Sequence, residues 1–209
     1  MLNIIGSCTN AGRPKRTYPK LFIYLFVQEP AVAAKRLVKK AGVMMKGLVA
    51  SKEIKEGTTI LTDWTCVTEG FKILTLSEWD KLEEPQKSLF IAYAINVDFD
   101  HLLGPVEEEA LVFDSLYVNH SCDPNMWFGP GDVVCARSDI SEGEELTMDY
   151  SMFYCAFDET FQCECGSSDC RRLVRKNDWK IEDIRRKYKN HFSEFLNHAI
   201  ENSNVNGIL

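Results

Sequence analysis

The alternation of apolar and polar residues beyond residue 40 predicts short strands joined by turns. Residues 54–60 and 140–146 share one pattern, in which an isoleucine is followed by a Glu-Gly pair and then by an apolar residue. Because glycine accepts a positive φ without steric cost, each Glu-Gly pair is expected to form a turn between two strands. Further short strands are predicted at residues 95–99, 111–113, 126–128, 133–136 and 145–148.

Helical signals occur in the middle of the chain and near its end. Ser77 is a candidate N-cap for a helix that begins at Glu78, and Pro85 suits the first turn of a second helix. The apolar face predicted for this second helix comprises Leu89, Ala92 and Tyr93. Apolar residues at helical spacing also predict one amphipathic helix over residues 179–202 that docks on the rest of the domain. The residues that carry this pattern are Ile184, Tyr188, Phe192, Phe195 and Ala199.

The composition is that of a globular chain whose charge is unevenly distributed. Its 209 residues are 45% hydrophobic and 26% charged, and they show no phosphate-binding glycine loop of a doubly wound nucleotide fold. The net charge of −7 divides into +7 for residues 1–40, −18 for residues 41–170 and +4 for residues 171–209. The acidic middle argues against a nucleic-acid surface and favours a basic partner, although acidity that serves only solubility explains it equally well.

Residues 1–40 form a basic leader that contains a short apolar run at residues 21–27. Seven apolar residues cannot span a bilayer, but they lie at the lower limit for the core of a signal peptide. The acid-poor composition suits an organellar transit sequence equally well. We expect either a cleavable targeting segment or a disordered or loosely packed leader, with the folded domain starting near Met44 or Met45.

A cluster of cysteines is the strongest spacing signal. Three of them lie within eight residues, namely Cys163, Cys165 and Cys170. With Gly166 allowing the loop to fold back, they can place three thiolates on one zinc ion, which needs a fourth ligand when it is structural. Cys122 is the leading candidate, and Cys155 and His120 are the alternatives, as are disulfides or unligated thiols for the cluster as a whole. Four protein ligands would leave no open position for catalysis, and metal binding would become part of folding.

A second signal is the ordered pair of motifs Tyr-Val-Asn-His-Ser-Cys-Asp-Pro-Asn at residues 117–125 and Glu-Leu-Thr-Met-Asp-Tyr at residues 145–150. Neither motif is specific alone. In order, and followed by the cysteine cluster, they make the chain resemble the SET-domain protein lysine methyltransferases. The segments that match the family are residues 46–50 with 54–57, 119–125, 144–150 and a cysteine cluster like the post-SET motif.

The resemblance implies a mainly β (α+β) fold of several small curved sheets with a C-terminal helix. In its knot-like C-terminal threading, the Asn119 segment passes through a loop of the following chain, which brings Asn119 and His120 to Tyr150. We expect four units along the chain: the basic leader at 1–40, a SET domain at 41–155, a post-SET zinc segment at 156–175 and a C-terminal helix at 176–209.

The activity implied by the resemblance is transfer of methyl groups from S-adenosylmethionine to protein lysines, with histone tails as the expected substrate. Tyr150 would be catalytic, since its hydroxyl would orient the amine and the methyl group. Lys46 and Gly47 would approach the cofactor through the backbone, and Asn119 and His120 would hold it. By the same resemblance, Cys122 would join Cys163, Cys165 and Cys170 on a structural zinc ion.

Methyl transfer requires a neutral amine, and lysine has a reference pKa of about 10.4. A narrow aromatic channel favours the neutral form by desolvation and also aligns the reacting atoms. The candidate walls are Tyr117, Phe153 and Tyr154, each of which would suit plain core equally well.

Three residues depart from the family pattern. Met45 replaces a glycine at the domain start, Leu116 replaces an arginine before the Asn-His motif, and Met148 replaces a phenylalanine or tyrosine near the channel. Because methionine has no hydroxyl to hold a water beside the amine, we expect di- or trimethylation to be permitted.

Two other functions remain as alternatives. One is an inactive SET module that binds peptides or partners, and the other is a methyltransferase acting on a non-histone protein. The basic tail is a small footprint for nucleic acid, so neither a nucleic-acid site nor a membrane is expected. The expected location is nuclear or cytoplasmic, with organellar targeting by the leader as a further option.

Overall fold

The computed structural model describes residues 33–40, 43–62, 64, 69–111, 114–155 and 160–206, and for residues 33–46, 114–115 and 203–206 it describes the backbone alone. These residues form strands β1 (Ala33–Lys40), β2 (Val43–Ala50), β3 (Thr59–Leu61), β4 (Phe71–Thr75), β5 (Ile95–Asn96), β6 (His101–Pro105), β7 (Asn119–His120), β8 (Met126–Phe128), β9 (Val134–Ala136), β10 (Thr147–Met148), β11 (Phe161–Gln162) and β12 (Leu173–Val174). The helices in the same residues are α1 (Leu76–Asp80), α2 (Gln86–Tyr93), α3 (Glu182–Lys187) and α4 (Glu194–Asn206).

The described strands pair into small sheets, which confirms the mainly β expectation. Three sheets have two strands each, β1-β2, β7-β10 and β11-β12, and two have three strands, β3-β9-β8 and β4-β6-β5. Of these pairs, only β7 and β10 run parallel within the described residues. Sheets this small cannot enclose a core alone, so the core forms where several of them meet.

The two Glu-Gly segments are neighbours in space. Gly57 and Gly143 have φ values of +79° and +81°, which confirms the predicted turns. Ile54 and Ile140 form an antiparallel bridge through two backbone hydrogen bonds of 2.9 and 2.8 Å. Both isoleucines are buried, so the turns fix two edges of the same core.

The largest apolar cluster, which we call the main core, contains Ile54, Ile140 and Met148. The end of the chain packs into this main core, but it does not form one continuous helix. The prediction of a single helix over residues 179–202 is wrong, because a short 3-10 helix (Asp178–Lys180), α3 and α4 follow one another with Asn190 at a φ of +66° between the last two. The docking prediction is confirmed, since Tyr188 and Phe192 are buried in the same cluster as Met148. The expected 176–209 unit is therefore part of the main core.

A second apolar cluster forms around β4, β5, β6, α1 and α2, which we call the insert. Phe90 packs on β6, where a Cβ added to Gly104 would lie 2.9 Å from its ring. The predicted face of α2 is wrong in part, because Phe90 is the buried residue of this helix and Ala92 is exposed. Pro85, expected in the first turn, is the N-cap.

The start of α1 also differs from the prediction. Thr75 rather than Ser77 is the N-cap, and its hydroxyl accepts from the amide of Glu78 while the Glu78 carboxylate accepts from the amide of Thr75. This reciprocal pair of hydrogen bonds is a capping box. Ser77 lies inside the helix.

Several predicted strands are shorter than expected or absent. The strand predicted at residues 95–99 ends at Asn96, because the Asp98 carboxylate accepts from the amides of Asp100 and His101 and closes a turn. Leu111 follows a 3-10 helix rather than starting a strand, and residues 112–113 lie outside the described residues. The strands predicted at 126–128, 133–136 and 145–148 appear as β8, β9 and β10.

The proposed boundary of the leader also changes. Residues 33–40 form β1, which pairs along its whole length with β2, so they belong to the folded hairpin rather than to a loose leader. The leader residues before β1 lie outside the described residues. None of the helices among the described residues is long and apolar enough to cross a bilayer.

Candidate active site and thiol cluster

The parallel pairing of β7 with β10 brings the two sequence motifs together. Asn119 lies opposite Thr147 and His120 lies opposite Met148. Tyr150 follows β10 by two residues, and its amide donates to Nδ1 of His120 at 3.1 Å. Residues 30 positions apart in the sequence therefore meet at one place.

Asn125 locks this pairing from the side. Its amide nitrogen donates to Oε1 of Glu144 at 2.9 Å and to the carbonyl of Glu145 at 2.8 Å, while its carbonyl oxygen accepts from the amide of Thr147 at 2.9 Å. The Glu145 side chain in turn accepts from Asn119 at 2.8 Å. Asn125 thus holds strand β10, with which Asn119 pairs.

The Tyr150 side chain is half-buried among aromatic rings and backbone. Its hydroxyl donates to the carbonyl of Val118 at 3.0 Å, and its ring lies 5.2 Å from that of His120 and 5.3 Å from that of Phe153. Burial raises the pKa of Tyr150 to about 12, and the Glu145 carboxylate adds to this effect. The phenol is therefore neutral at ordinary pH, so it can orient a ligand by hydrogen bonding rather than act as a base.

An aromatic cavity of about 190 Å³ opens beside Tyr150. Of the predicted walls, Phe153 and Tyr154 line it, whereas Tyr117 and Met148 do not. The hydroxyl of Tyr117 donates to the carbonyl of Leu111 at 3.1 Å, and Met148 is fully buried in the core. Other residues that line the cavity are Trp64, Phe71, Ile91, Ala92, Tyr93, Ala94, Ile95, Leu103, Leu116, Val118 and Phe161.

The cavity is suited to a long apolar side chain that ends in an amine. Its walls offer aromatic faces and aliphatic groups, which exclude water and lower the pKa of an amine that enters. Aromatic faces also attract ammonium groups, so a methylated amine would remain bound there.

The structure places Gly47 in β2, close to the same motifs. The residues after it bond to segment 144–146, since the amide of Ala50 donates to the carbonyl of Glu144 and the amide of Leu146 to the carbonyl of Leu48. Gly47 is buried, and only the backbone of Lys46 is described. β2 thus reaches the segment that also holds Asn119.

Four thiols converge on one point next to His120. The Sγ atoms of Cys122, Cys163, Cys165 and Cys170 all lie within 4.8 Å of one another. The Sγ atoms of Cys122 and Cys163 are 3.8 Å apart. A tetrahedral zinc with Zn–S bonds of about 2.3 Å requires sulfurs about 3.8 Å apart, so both the donor set and the spacing fit Zn²⁺.

The other candidate ligands lie outside this group of four. Cys155 donates its amide to the Asn96 side chain at 2.9 Å. His120 accepts from the Tyr150 amide at Nδ1, so its Nε2 carries the proton, and this nitrogen lies 3.4 Å from Sγ of Cys122. His120 is placed to donate to that sulfur rather than to bind the metal. Among the described cysteines all thiols are free of disulfide bonds.

The thiols differ in their protonation. Burial raises the pKa of Cys122 to about 11 and also raises that of Cys163. Burial opposes ionisation of Cys165 as well, but hydrogen bonds from Ser167 and from the amide of Cys122 outweigh it and lower its pKa to about 6. A divalent cation would supply the charge that ionises the remaining thiols, as structural zinc does.

Comparison with known proteins identifies the family. The family model for the SET domain matches residues 45–151, just over half of the chain. The chain belongs to the SET domain family. This SET domain begins within β2 and ends just after Tyr150, so it includes both sequence motifs.

The chain is similar to parts of several much longer curated proteins. It is 38% identical over 73 residues to the histone-lysine N-methyltransferase ATX2 of Arabidopsis thaliana, covering 32% of this chain and 6% of that protein. It is 37% identical over 99 residues to the H3 lysine-9 specific histone-lysine N-methyltransferase KMT1 of Fusarium mangiferae, covering 36% and 29%. It is 29% identical over 137 residues to the histone-lysine N-methyltransferase trithorax of Drosophila virilis, covering 62% and 3%. The chain thus spans less than a third of each.

An ionic network that the sequence did not reveal joins the SET domain to the thiol cluster. Arg171 donates to both carboxylate oxygens of the fully buried Asp149, at 2.6 and 2.7 Å, and its Nε donates to Asp178 at 2.9 Å. Burial opposes ionisation of Asp149, but the contacts with Arg171 outweigh it and lower the pKa of this carboxyl. Tyr188 adds a hydroxyl 3.1 Å from the same carboxylate.

The sequence analysis missed Arg171 and Phe161, although the position of each one was a signal. Arg171 directly follows the last cysteine of the cluster, and Phe161 stands two residues before the first of the three clustered cysteines. The Phe161 ring lies 5.8 Å from that of Tyr150 and 5.4 Å from that of His120. Position next to a metal motif therefore marks both residues, whereas Phe71 and Tyr93 of the insert carry no such mark.

Proposed function

We propose that this SET domain is an S-adenosylmethionine-dependent protein-lysine N-methyltransferase. The observation that carries the proposal is the neutral hydroxyl of Tyr150 beside an aromatic cavity that fits a lysine side chain. The names of the similar proteins support it, because each is a histone-lysine N-methyltransferase.

Residues on neighbouring strands form a polar site suited to the methyl donor. Asn119 and His120 lie on β7, and Gly47 lies on β2, which reaches the same segment. The Asn119 side chain and the main chain at His120 and Gly47 would hold S-adenosylmethionine. That molecule would supply an electrophilic methyl group on its sulfonium.

The chain's own residues would prepare the attacking amine. The rings of Phe153, Tyr154 and Phe161 exclude water and favour the neutral amine over the charged one. The hydroxyl of Tyr150 would orient the nitrogen toward the methyl group, and this alignment removes much of the entropic barrier. The four thiols would hold a structural zinc ion, since they leave no position for a reacting water.

The substrate we propose is a lysine in a basic protein segment, with histone tails as the first candidates. The net charge of −18 over residues 41–170 supports a positively charged peptide. Because Met148 stands where the family usually has a phenylalanine or tyrosine and has no hydroxyl to hold a water beside the amine, we propose that two or three methyl groups can be added. A nuclear or cytoplasmic location is consistent with such a substrate.

The decisive experiment measures transfer of labelled methyl groups from S-adenosylmethionine to core histones. Replacement of Tyr150 by phenylalanine is expected to lower kcat about 100-fold, because the amine loses its orienting partner. Tyr93→Phe is the matched control, since it removes a hydroxyl from another residue of the same cavity wall. Mass spectrometry of the product then counts the methyl groups.

Two outcomes would contradict the proposal. A wild-type protein that binds the cofactor and zinc but transfers no methyl group to histones or to a cell lysate would instead be an inactive module that binds peptides. A product that stops at monomethyl-lysine after exhaustive reaction would refute di- and trimethylation.

A further inference from the structure

Arg171 connects the thiol cluster to the segment that carries the proposed catalytic tyrosine. It follows the last clustered cysteine, and its backbone amide donates to Sγ of Cys122 at 3.4 Å. Its guanidinium bonds both oxygens of Asp149, while its Nε donates to Asp178. One residue therefore contacts the cluster, the residue before Tyr150 and the C-terminal segment.

Asp149 in turn holds the backbone of Tyr150. Its carboxylate caps the 3-10 helix Tyr150–Met152 by accepting from the amide of Ser151 at 3.0 Å. On the other side, the amide of Tyr150 donates to His120. The backbone around Tyr150 is thus held on one side by the Asp149 carboxylate and on the other by His120.

The form of the Arg171 contact favours a role in geometry. The side chain of Asp149 is fully buried and that of Arg171 is 16% exposed. A buried ion pair contributes little net stability compared with apolar residues of the same shape. A planar guanidinium that bonds both oxygens nevertheless fixes the direction of the carboxylate, which a lysine ammonium cannot do.

We propose that Arg171 is a positioning residue that transmits the order of the thiol cluster to Tyr150 through Asp149. When a metal holds the four sulfurs together, the Arg171 backbone is fixed and its guanidinium clamps Asp149. When the cluster opens, the clamp is lost and the turn that carries Tyr150 becomes loose. The kinetic consequence rests on the proposed methyltransferase function, whereas the structural consequence does not.

Three variants of the full chain test this coupling, namely Arg171→Met, Arg171→Lys and Asp149→Asn. Arg137→Met is the matched control. Arg137 is also a partly buried arginine paired with an aspartate, since it bonds Asp123 at 2.9 Å and the carbonyl of Pro124 at 2.8 Å. Unlike Arg171, Arg137 bonds the two residues that follow Cys122 and makes no hydrogen bond to Asp149.

The first readout is fluorine NMR of protein labelled with 3-fluorotyrosine, in which the Tyr150 resonance is assigned by its absence in Tyr150→Phe. In the wild type and in Arg137→Met, removal of zinc by a chelator is expected to shift this resonance. In zinc-loaded Arg171→Met and Asp149→Asn, the Tyr150 resonance is expected to lie near its position in the metal-free wild type. The chelator should then shift it little. Arg171→Lys should lie between these limits.

The second readout is methyl transfer at equal zinc content. Arg171→Met is expected to lower kcat about 100-fold with a much smaller change in KM, because misplacement of a catalytic group costs rate rather than binding. Arg171→Lys should recover part of this loss. Arg137→Met should keep the wild-type kcat.

The proposal is overturned if zinc-loaded Arg171→Met keeps both the wild-type Tyr150 resonance and the wild-type kcat. It is also overturned if this variant loses zinc together with activity, because Arg171 would then support the cluster alone. If circular dichroism shows that Arg171→Met does not fold, the same criteria apply to Arg171→Lys. A wild type without methyl transfer refutes the proposed function, and the resonance then decides the coupling by itself.

Discussion

Two regions of the molecule are held together by different forces, and only the first of them contributes side chains to the cavity. One is the insert, where Phe90, Leu102 and Val106 form an apolar cluster. The other, which we call the thiol wall, comprises the four clustered cysteines, Arg171 and Asp149. Apolar packing weakens in steps as side chains are trimmed, whereas an ionic or metal-binding group that loses its partner is left buried and unpaired. We therefore expect mutations in the insert to lower stability in graded steps. In the thiol wall, we expect loss of one member to disrupt the whole group.

Replacement of Cys122 by serine is expected to have the largest effect on stability. A structural zinc site contributes on the order of 10 kcal/mol to folding, and this contribution depends on the full ligand set. We expect loss of stoichiometric zinc and a large fall in the unfolding temperature, measured by metal analysis and calorimetry. Cys155→Ser is the control, since this thiol lies outside the cluster. Equal zinc loss in both variants would contradict the ligand assignment.

Truncation of Phe90 to alanine is expected to cost about 3–5 kcal/mol, because the fully buried ring would leave a cavity. Urea unfolding measures the change. Zinc content should stay at the wild-type level if the two regions are held independently. Leu89→Ala, at the half-buried neighbouring position, should cost clearly less. Release of zinc by Phe90→Ala would show that the insert and the thiol wall are one cooperative unit.

Removal of the Thr75 cap is expected to produce a smaller loss within the insert. Thr75→Ala deletes the hydroxyl that accepts from Glu78, and loss of such a cap costs about 1 kcal/mol. Ser77→Ala should leave the free energy of unfolding almost unchanged, since Ser77 is not the cap. If urea unfolding showed a larger loss for Ser77→Ala than for Thr75→Ala, Ser77 would be the N-cap, as the sequence predicted.

The smallest effect concerns the dependence of the insert on pH. Hydrogen bonds from the amide and hydroxyl of Thr75 lower the pKa of Glu78. Its carboxylate therefore stabilises the fold above the ordinary glutamate pKa of about 4.3, and this contribution is lost as the pH falls through the lower folded value. The stability difference between wild type and Glu78→Gln should shrink over that range. If this difference in the free energy of unfolding did not change with pH, the charge of the Glu78 carboxylate would not contribute to stability.

The features predicted well from the sequence are those that depend on local chemistry. The two Glu-Gly turns need only the backbone freedom of Gly57 and Gly143, and both appear as expected. The spacing of Cys163, Cys165 and Cys170 also brings three thiols together with little help from the rest of the fold. The family motifs then located Tyr150 among the residues of the cavity.

The features that were missed depend on contacts between distant segments. The buried face of α2 follows from Gly104 on β6, which leaves room for the Phe90 ring and cannot be recognised from the periodicity of the helix. The break between α3 and α4 occurs although the apolar spacing continues through it, because Asn190 adopts a left-handed conformation. Half of the cavity wall comes from the insert, whose position over Tyr150 no local pattern encodes.

The contacts of the Cys122 carbonyl have a consequence for folding during synthesis. This carbonyl lies 2.9 Å from Nζ of Lys187 and 3.2 Å from the hydroxyl of Tyr188, which follows 66 residues later in the chain. At translation rates of about 5–20 residues per second, Cys122 would wait several seconds for these partners. The Cys122 thiol would wait for a shorter time, since the last of its thiol partners, Cys170, follows 48 residues later. A metal ion that binds the four thiols would therefore meet the complete set as soon as Cys170 emerges, before Lys187 and Tyr188 can reach the Cys122 carbonyl.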